Sequence, residues 1–294
     1  MPQGMVIPVV ALCIACYTGQ SFFNKLFSMR YQGPAAAATP VYATLFGVIV
    51  AAVTLCLSGL RFAPGRETLL LGCATGAVLF LYNLGMIRAA RSGPYAFQSI
   101  VMLFGSIVVC LVFSALWWGD KMSAVQLAGI GVMLAAFVVL NSGGIDFSGV
   151  KKEYFFWVVL LFFSNGFYGV LMDAQQRLLP GQRNEMIIIT FLSSAGVSLA
   201  YLLITQRGQA PAAFRMGRAA WALAVGSSVC AAFAVFLLML LLACIPSYIL
   251  FTICNGGLLV ASALLCAVVL RENMTRRTAA GIGLSVLSIV LLSI

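Results

Sequence analysis

The sequence predicts an all-α polytopic membrane protein, with ten transmembrane helices as two five-helix repeats of inverted topology. Three observations predict it. The chain has too few charges for water, it contains ten long apolar runs, and landmarks recur at one offset in its two halves.

Hydrophobic residues make up 63% of the 294 positions and charged residues 8%. Soluble domains carry about 45–50% apolar and about 25% charged residues. So few charges cannot cover a core in water. That excludes a soluble enzyme, a nucleic-acid-binding domain and a disordered chain. The net charge of +10 would favour nucleic acid in a soluble protein. Here the cations fall between apolar runs, where cytoplasmic loops hold them, so the expected partner is a lipid bilayer and not nucleic acid. There is no histidine, which removes His-based zinc sites, Ser–His hydrolases and imidazole relays. Eight of the nine cysteines sit in apolar runs and the ninth, Cys244, one residue beyond one. They read as small packing residues. No cofactor or metal is expected. Met1-Pro2-Gln3-Gly4 carries no basic stretch, so the first run is expected to be a mature span rather than a cleaved signal.

The runs cover 5–23, 35–58, 68–87, 95–118, 124–141, 154–172, 186–205, 219–243, 247–270 and 278–294. A helix crosses the roughly 30 Å hydrocarbon core with about 20 residues. Backbone in lipid must satisfy its own hydrogen bonds, so each run is predicted to be a helix. The runs lack the alternation of barrel strands. They group into a first repeat over 1–141, a connecting loop over 142–153 and a second repeat over 154–294.

The repeat rests on landmarks. Ala128-Gly129-Ile130-Gly131 returns as Ala280-Gly281-Ile282-Gly283, an offset of 152. At the same offset Asp120 meets Glu272, Met122 meets Met274, Ser123 meets Thr275, Pro94 meets Pro246 and Lys25 meets Arg177. Five spans per repeat is odd, so the second repeat enters from the opposite side, as in many secondary transporters. Twelve of the 17 Lys and Arg fall in the loops after spans 1, 3, 5, 7 and 9. The positive-inside rule places those loops in the cytoplasm and both termini outside.

The segment Gly119-Asp120-Lys121-Met122-Ser123, followed by Gly129 and Gly131, resembles the junction of spans four and five in the drug/metabolite transporter superfamily. Arg271-Glu272-Asn273-Met274-Thr275, with Gly281 and Gly283, repeats it. Asp120 stands for the commoner Glu and Arg271 for the commoner Gly. The match is to ten-span members with two EamA-type repeats and covers essentially the whole chain. Many family members are described with both termini in the cytoplasm, opposite to the charge count here. The resemblance implies the fold and a metabolite-transport role. It leaves the cargo open among amino acids, sugars, nucleotide sugars, bases and drugs.

Polar residues inside spans tend to face a bundle interior or a wet cavity. Tyr17, Gln20 and Asn24 share one face of the first span. Tyr82-Asn83 lies in the third, Gln98 in the fourth, Asn165 and Tyr168 in the sixth, Tyr248 and Asn255 in the ninth. These are the predicted cavity residues, weighed against a role as interhelical glue. Tyrosine offers a face and a hydroxyl, and the amides offer donors and acceptors. Tyr42 is assigned to an interfacial aromatic belt. Lys25, Asp173 and Arg177 are the charge or gating candidates, with snorkelling and an i,i+4 Asp173–Arg177 pair as the simpler readings. Asp120 and Glu272 are predicted to cap the fifth and tenth spans. Gly129, Gly131, Gly281 and Gly283 are predicted to allow close helix packing.

The expected function is movement of a small polar or zwitterionic, amino-acid-like metabolite by alternating access through a cavity between the repeats. No acid lies near the middle of a run, which favours export or facilitated exchange over pumping. The alternatives are a lipid-headgroup translocator or a non-transporting subunit. An enzyme would need an intramembrane acid–base pair or metal site that is missing. The expected location is the plasma or inner membrane of a prokaryotic cell. Ten spans suffice for a monomer, with a dimer also compatible.

Overall fold

Ten long helices follow one another along the chain: α1 Gln3–Arg30, α2 Ala38–Leu57, α3 Arg66–Ala90, α4 Tyr95–Phe113 and α5 Ala124–Asn141, then α6 Lys152–Leu178, α7 Arg183–Thr205, α8 Arg218–Leu241, α9 Ser247–Val269 and α10 Arg276–Leu292. A single helical turn, Ala210–Ala213, precedes α8. This is a computed structural model, and it describes residues 3–34, 37–141, 150, 152–206, 208, 210–269 and 275–292. Among them there is no strand. Most of the connecting loop 142–153, together with Arg271, Glu272, Asn273 and Met274, lies outside the described residues.

Among the described residues eight helices, α1 to α8, are long and apolar enough to cross a membrane. The ninth is apolar over Ser247–Ser262, and α10 has 17 residues. The helices match the ten apolar runs, with one difference of consequence. The sixth run was bounded at 172, yet α6 continues to Leu178. Asp173, expected near the end of the sixth span, therefore has more than a full helical turn of α6 beyond it. Gln175 and Gln176, both buried, belong to this last stretch, where composition alone signals an end.

Local chemistry explains the ends. The π-helical turn Ser114–Trp118 closes α4 and stops at Gly119, whose φ of 66° is left-handed. Glycine takes that conformation without steric cost. A capping box starts α5: Ser123 Oγ accepts from Gln126 N at 3.1 Å, and Gln126 Oε1 accepts from Ser123 N at 3.2 Å. Thr275 Oγ1 likewise accepts from Thr278 N at 3.2 Å and starts α10. These caps fall at the repeat offset. They also correct the expectation for Asp120, which precedes the capping residue by three positions.

The chain divides into two compact units. One comprises Met1–Phe80 and Ala174–Leu240, the other Leu81–Asp173 and Leu241–Ile294. Each unit draws on both halves of the sequence, so the units and the repeats are different divisions of the chain.

In the first unit α8 runs antiparallel to α1. Cys13 Sγ donates to Ala234 O at 3.4 Å, and Ser227 Oγ donates to Gln20 O at 3.0 Å. The pair α2 and α7 is also antiparallel, since Ala37 and Val41 at the start of α2 cluster with Leu202 near the end of α7.

In the second unit α5 and α10 are antiparallel. A Cβ on Gly129 would lie 3.1 Å from Leu291 Cβ, and one on Gly281 would collide with Leu140. The start of each helix thus meets the end of the other. Gly131 and Gly283 have open space around the Cβ position, so only one glycine of each pair serves close packing. The two helices are further joined by Ser288 Oγ, which donates to Gly129 O at 2.6 Å. The core of this unit gathers Ile107, Ile130, Met133, Phe137, Tyr248 and Ile249.

The distribution of polarity is that of a membrane protein. Ile7 is 80% exposed, Leu116 82% and Trp117 75%, whereas Asp173, Gln98 and Gln175 are at most 1% exposed. In water that arrangement would leave large apolar side chains unburied. In lipid it is the expected one, with polar groups turned inward.

Candidate functional site in the second unit

The site is built on α4 and the first residue of the π-helical turn that closes it. Gln98, Met102, Ser106, Cys110 and Ser114 recur at every fourth residue of its sequence. Each step advances about 6 Å along a helix and about 40° around it. The five positions therefore form a slowly turning ladder about 24 Å long, most of the depth of a hydrocarbon core. Every rung meets a neighbouring helix.

Gln98 Nε2 donates to Met86 O on α3 at 2.9 Å. Its Oε1 is buried and accepts no hydrogen bond. At the next rung Asn165 Nδ2 on α6 donates to Met102 O at 2.7 Å, and Tyr82 OH on α3 reaches Met102 Sδ at 3.2 Å. Tyr168 lies near Tyr82. Ser106 Oγ accepts from Asn255 Nδ2 on α9 at 2.8 Å. Cys110 Sγ points to Gly166 O on α6 at 3.8 Å. Ser114 Oγ lies 3.1 Å from Ser247 Oγ on α9, and Ser247 donates to Asp173 Oδ2 on α6 at 3.0 Å.

Close backbone approach makes the ladder possible. A Cβ at Gly105 would collide with the backbone of Phe162, and one at Gly166 with Val109. Glycine at these two positions brings α4 and α6 together, which lets the short side chains between them reach backbone carbonyls.

Of the predicted residues, the structure brings Tyr82, Gln98, Asn165, Tyr168, Asn255 and Asp173 to this ladder. Asn83 follows Tyr82 on α3 and is half-buried. Tyr248 is buried, and its hydroxyl lies 3.4 Å from Gln126 Oε1, which ties it to the cap of α5. Tyr17, Gln20 and Asn24 are half-buried in the first unit. There the backbone carbonyl of Gln20 takes part in helix packing. Lys25 is exposed and Arg177 half-buried. Tyr42 departs from its belt assignment: its hydroxyl is 2.6 Å from Ser227 Oγ inside the first unit.

Ser106, Cys110, Ser114 and Ser247 were not singled out by their sequence. The fourfold spacing along α4 was the available signal. It is hidden because Met, Ser and Cys are also ordinary residues of a packed apolar helix.

No family model matches the chain, and no curated protein matches it. In fold it is similar to a protein solved by crystallography, with a TM-score of 0.74 at 19% sequence identity over 98% of each chain. At that identity the likeness concerns the fold alone. The chain is thus a multi-pass helical membrane protein whose fold another protein shares along nearly its whole length.

Proposed function

We propose that this chain is a secondary transporter of a small polar or zwitterionic metabolite of the amino-acid class, working by alternating access. In this reading all ten helices cross the membrane, as two inverted repeats of the kind found in the drug/metabolite transporter superfamily. The observation that carries it is the α4 ladder. Buried amide, hydroxyl and carboxylate groups over about 24 Å exceed what helix association needs, since small residues and van der Waals contact suffice for that. They suit a cargo that must exchange its water for protein donors and acceptors.

The inverted repeat draws support from packing. The members of the helix pairs α2 with α7, α4 with α9 and α5 with α10 each lie five places apart in the helix order. Each pair packs in contact and runs antiparallel. Inversion of one repeat relative to the other requires that direction. The proposed membrane is the plasma or inner membrane, with both termini outside by the charge count.

Comparative metabolomics tests the proposal. Cells expressing the chain are compared with cells expressing Gln98→Leu/Asn165→Leu at matched membrane levels, with intracellular and medium pools quantified separately. A compound that moves between pools only with the intact chain supports transport through this site. A shift with both chains keeps transport and removes the ladder from it. A shift confined to lipid headgroups favours a lipid translocator, and no shift in any pool favours a non-transporting subunit.

A further inference from the structure

The end of the ladder at Asp173 differs chemically from its other rungs. It holds a carboxylate, 1% exposed, inside the membrane-spanning helix α6. Moving an ionised carboxylate out of water is costly, so such groups are kept at membrane depth for ion or proton chemistry. The carboxylate ends a chain of hydroxyls from two other helices, Ser247 of α9 and Ser114 of α4, with spacings of 3.0 and 3.1 Å.

The direction of that chain follows from counting protons. A serine hydroxyl has one proton to donate. Ser247 gives its proton to Asp173, so Ser114 is the donor to Ser247. Protonation of the carboxyl reverses the order. Asp173 then donates to Ser247, Ser247 to Ser114, and Ser114 turns to a carbonyl of the preceding helical turn. No heavy atom has to move far, because hydroxyl rotation alone converts one state into the other. The arrangement therefore accommodates both charge states.

Features that favour each state lie around the carboxylate. Burial favours the neutral acid. The Ser247 hydroxyl and the N-terminus of α9, which begins at Ser247, favour the carboxylate. The ionisable neighbour on α4 is Cys110. On α9, Tyr248 follows Ser247 and directs its hydroxyl to Gln126. Arg177 comes one turn later on α6. Among the described residues no group of three or more acidic, Cys or His side chains is placed to hold a metal ion.

We propose that Asp173, with Ser247 and Ser114 in line behind it, is the site that takes up and releases the proton driving the cargo. This rests on the transport reading and replaces the uncoupled exchange expected from the sequence. The step is balanced: one proton from water joins Asp173 Oδ2 on one side of the membrane and leaves to water on the other. Only O–H bonds form and break.

Two measurements test it. The first is infrared difference spectroscopy of the full chain in lipid nanodiscs as pH is varied. The expected result is a protonated-carboxyl band that titrates and is lost in Asp173→Asn. Ser247→Ala removes the hydroxyl that donates to the carboxylate and is expected to shift the midpoint. Absence of a titrating band assignable to Asp173 overturns the proposal. If Asp173→Asn does not fold, an unmoved midpoint in Ser247→Ala overturns it instead.

The second measurement uses proteoliposomes and a mixture of the twenty amino acids. A pH gradient is expected to drive accumulation by the unmodified chain. In Asp173→Asn accumulation should fall about tenfold further than counterflow exchange does. Exchange without any response to the gradient overturns proton coupling and leaves transport standing. No movement in either assay overturns the transport reading for this cargo class, and the coupling with it.

Discussion

The side-chain amide of Asn255 donates to the hydroxyl of Ser106 across 2.8 Å, and this bond sets the register of two antiparallel helices. Eight residues further along α4, Ser114 meets Ser247, eight residues back along α9. Two polar contacts at matched spacing define the alignment, since a one-residue slip would break both.

The Ser106–Asn255 contact should behave as a coupled pair. Ser106→Ala and Asn255→Ala should each cost about 0.6 kcal/mol, the average for interhelical side-chain bonds in membranes. The double variant should cost little more than either single one. Thermal unfolding in detergent reads this, and strictly additive losses would show that the two side chains do not act on each other.

Glycines on α4 and α5 should differ sharply. Gly105→Ala places a methyl into the backbone of Phe162, which cannot rotate away, and should destabilise the fold by about 1–3 kcal/mol. Gly131→Ala enters open space and should be neutral or stabilise by up to about 1 kcal/mol through helix propensity. Equal midpoints of unfolding for the two variants would contradict the α4–α6 approach.

Gln98→Met should separate stability from transport. The replacement removes a buried acceptor that no described group satisfies, together with the Nε2 bond to Met86 O, while keeping the side-chain volume. Stability should change by less than about 1 kcal/mol. Uptake or export of the cargo should drop about tenfold, the loss of one hydrogen bond to it. Unchanged transport would remove Gln98 from the path.

Tyr31 should make stability fall at alkaline pH. It lies just beyond α1, where its hydroxyl donates to Ala213 O at 2.9 Å, and burial raises its pKa above the ordinary 10.0. A raised folded-state value means the stabilising contribution is present below about pH 10 and is lost as pH rises through the folded value. Tyr31→Phe should be less stable than the unmodified chain at neutral pH, with the difference shrinking above about pH 10. A difference independent of pH would assign Tyr31 to packing alone.

Much of the architecture was legible in the residues, and particular cases show why. Ser123 and Thr275 could be matched by offset, and both turned out to start helices, because capping depends on a residue and its next few neighbours. The carboxylate Asp120 misled, because it satisfies the same composition rule without sitting at the cap position. Gly129 and Gly131 were indistinguishable in sequence. Only the facing helix separates them, since one turns toward Leu291 and the other toward open space.

The sequence by itself determined that the chain lives in a membrane and folds into helices, and where those helices run. Hydropathy and backbone hydrogen bonding act over a span and its immediate ends, so they can be read locally. The tertiary structure alone decided which polar groups meet. Met102 and Asn165 are 63 positions apart, and Ser106 and Asn255 are 149 apart. Those meetings depend on helix rotation and on the close approach at Gly105 and Gly166. For the same reason Asp173, which the sixth apolar run placed at a helix end, proved to be a buried carboxylate at the end of a hydroxyl chain.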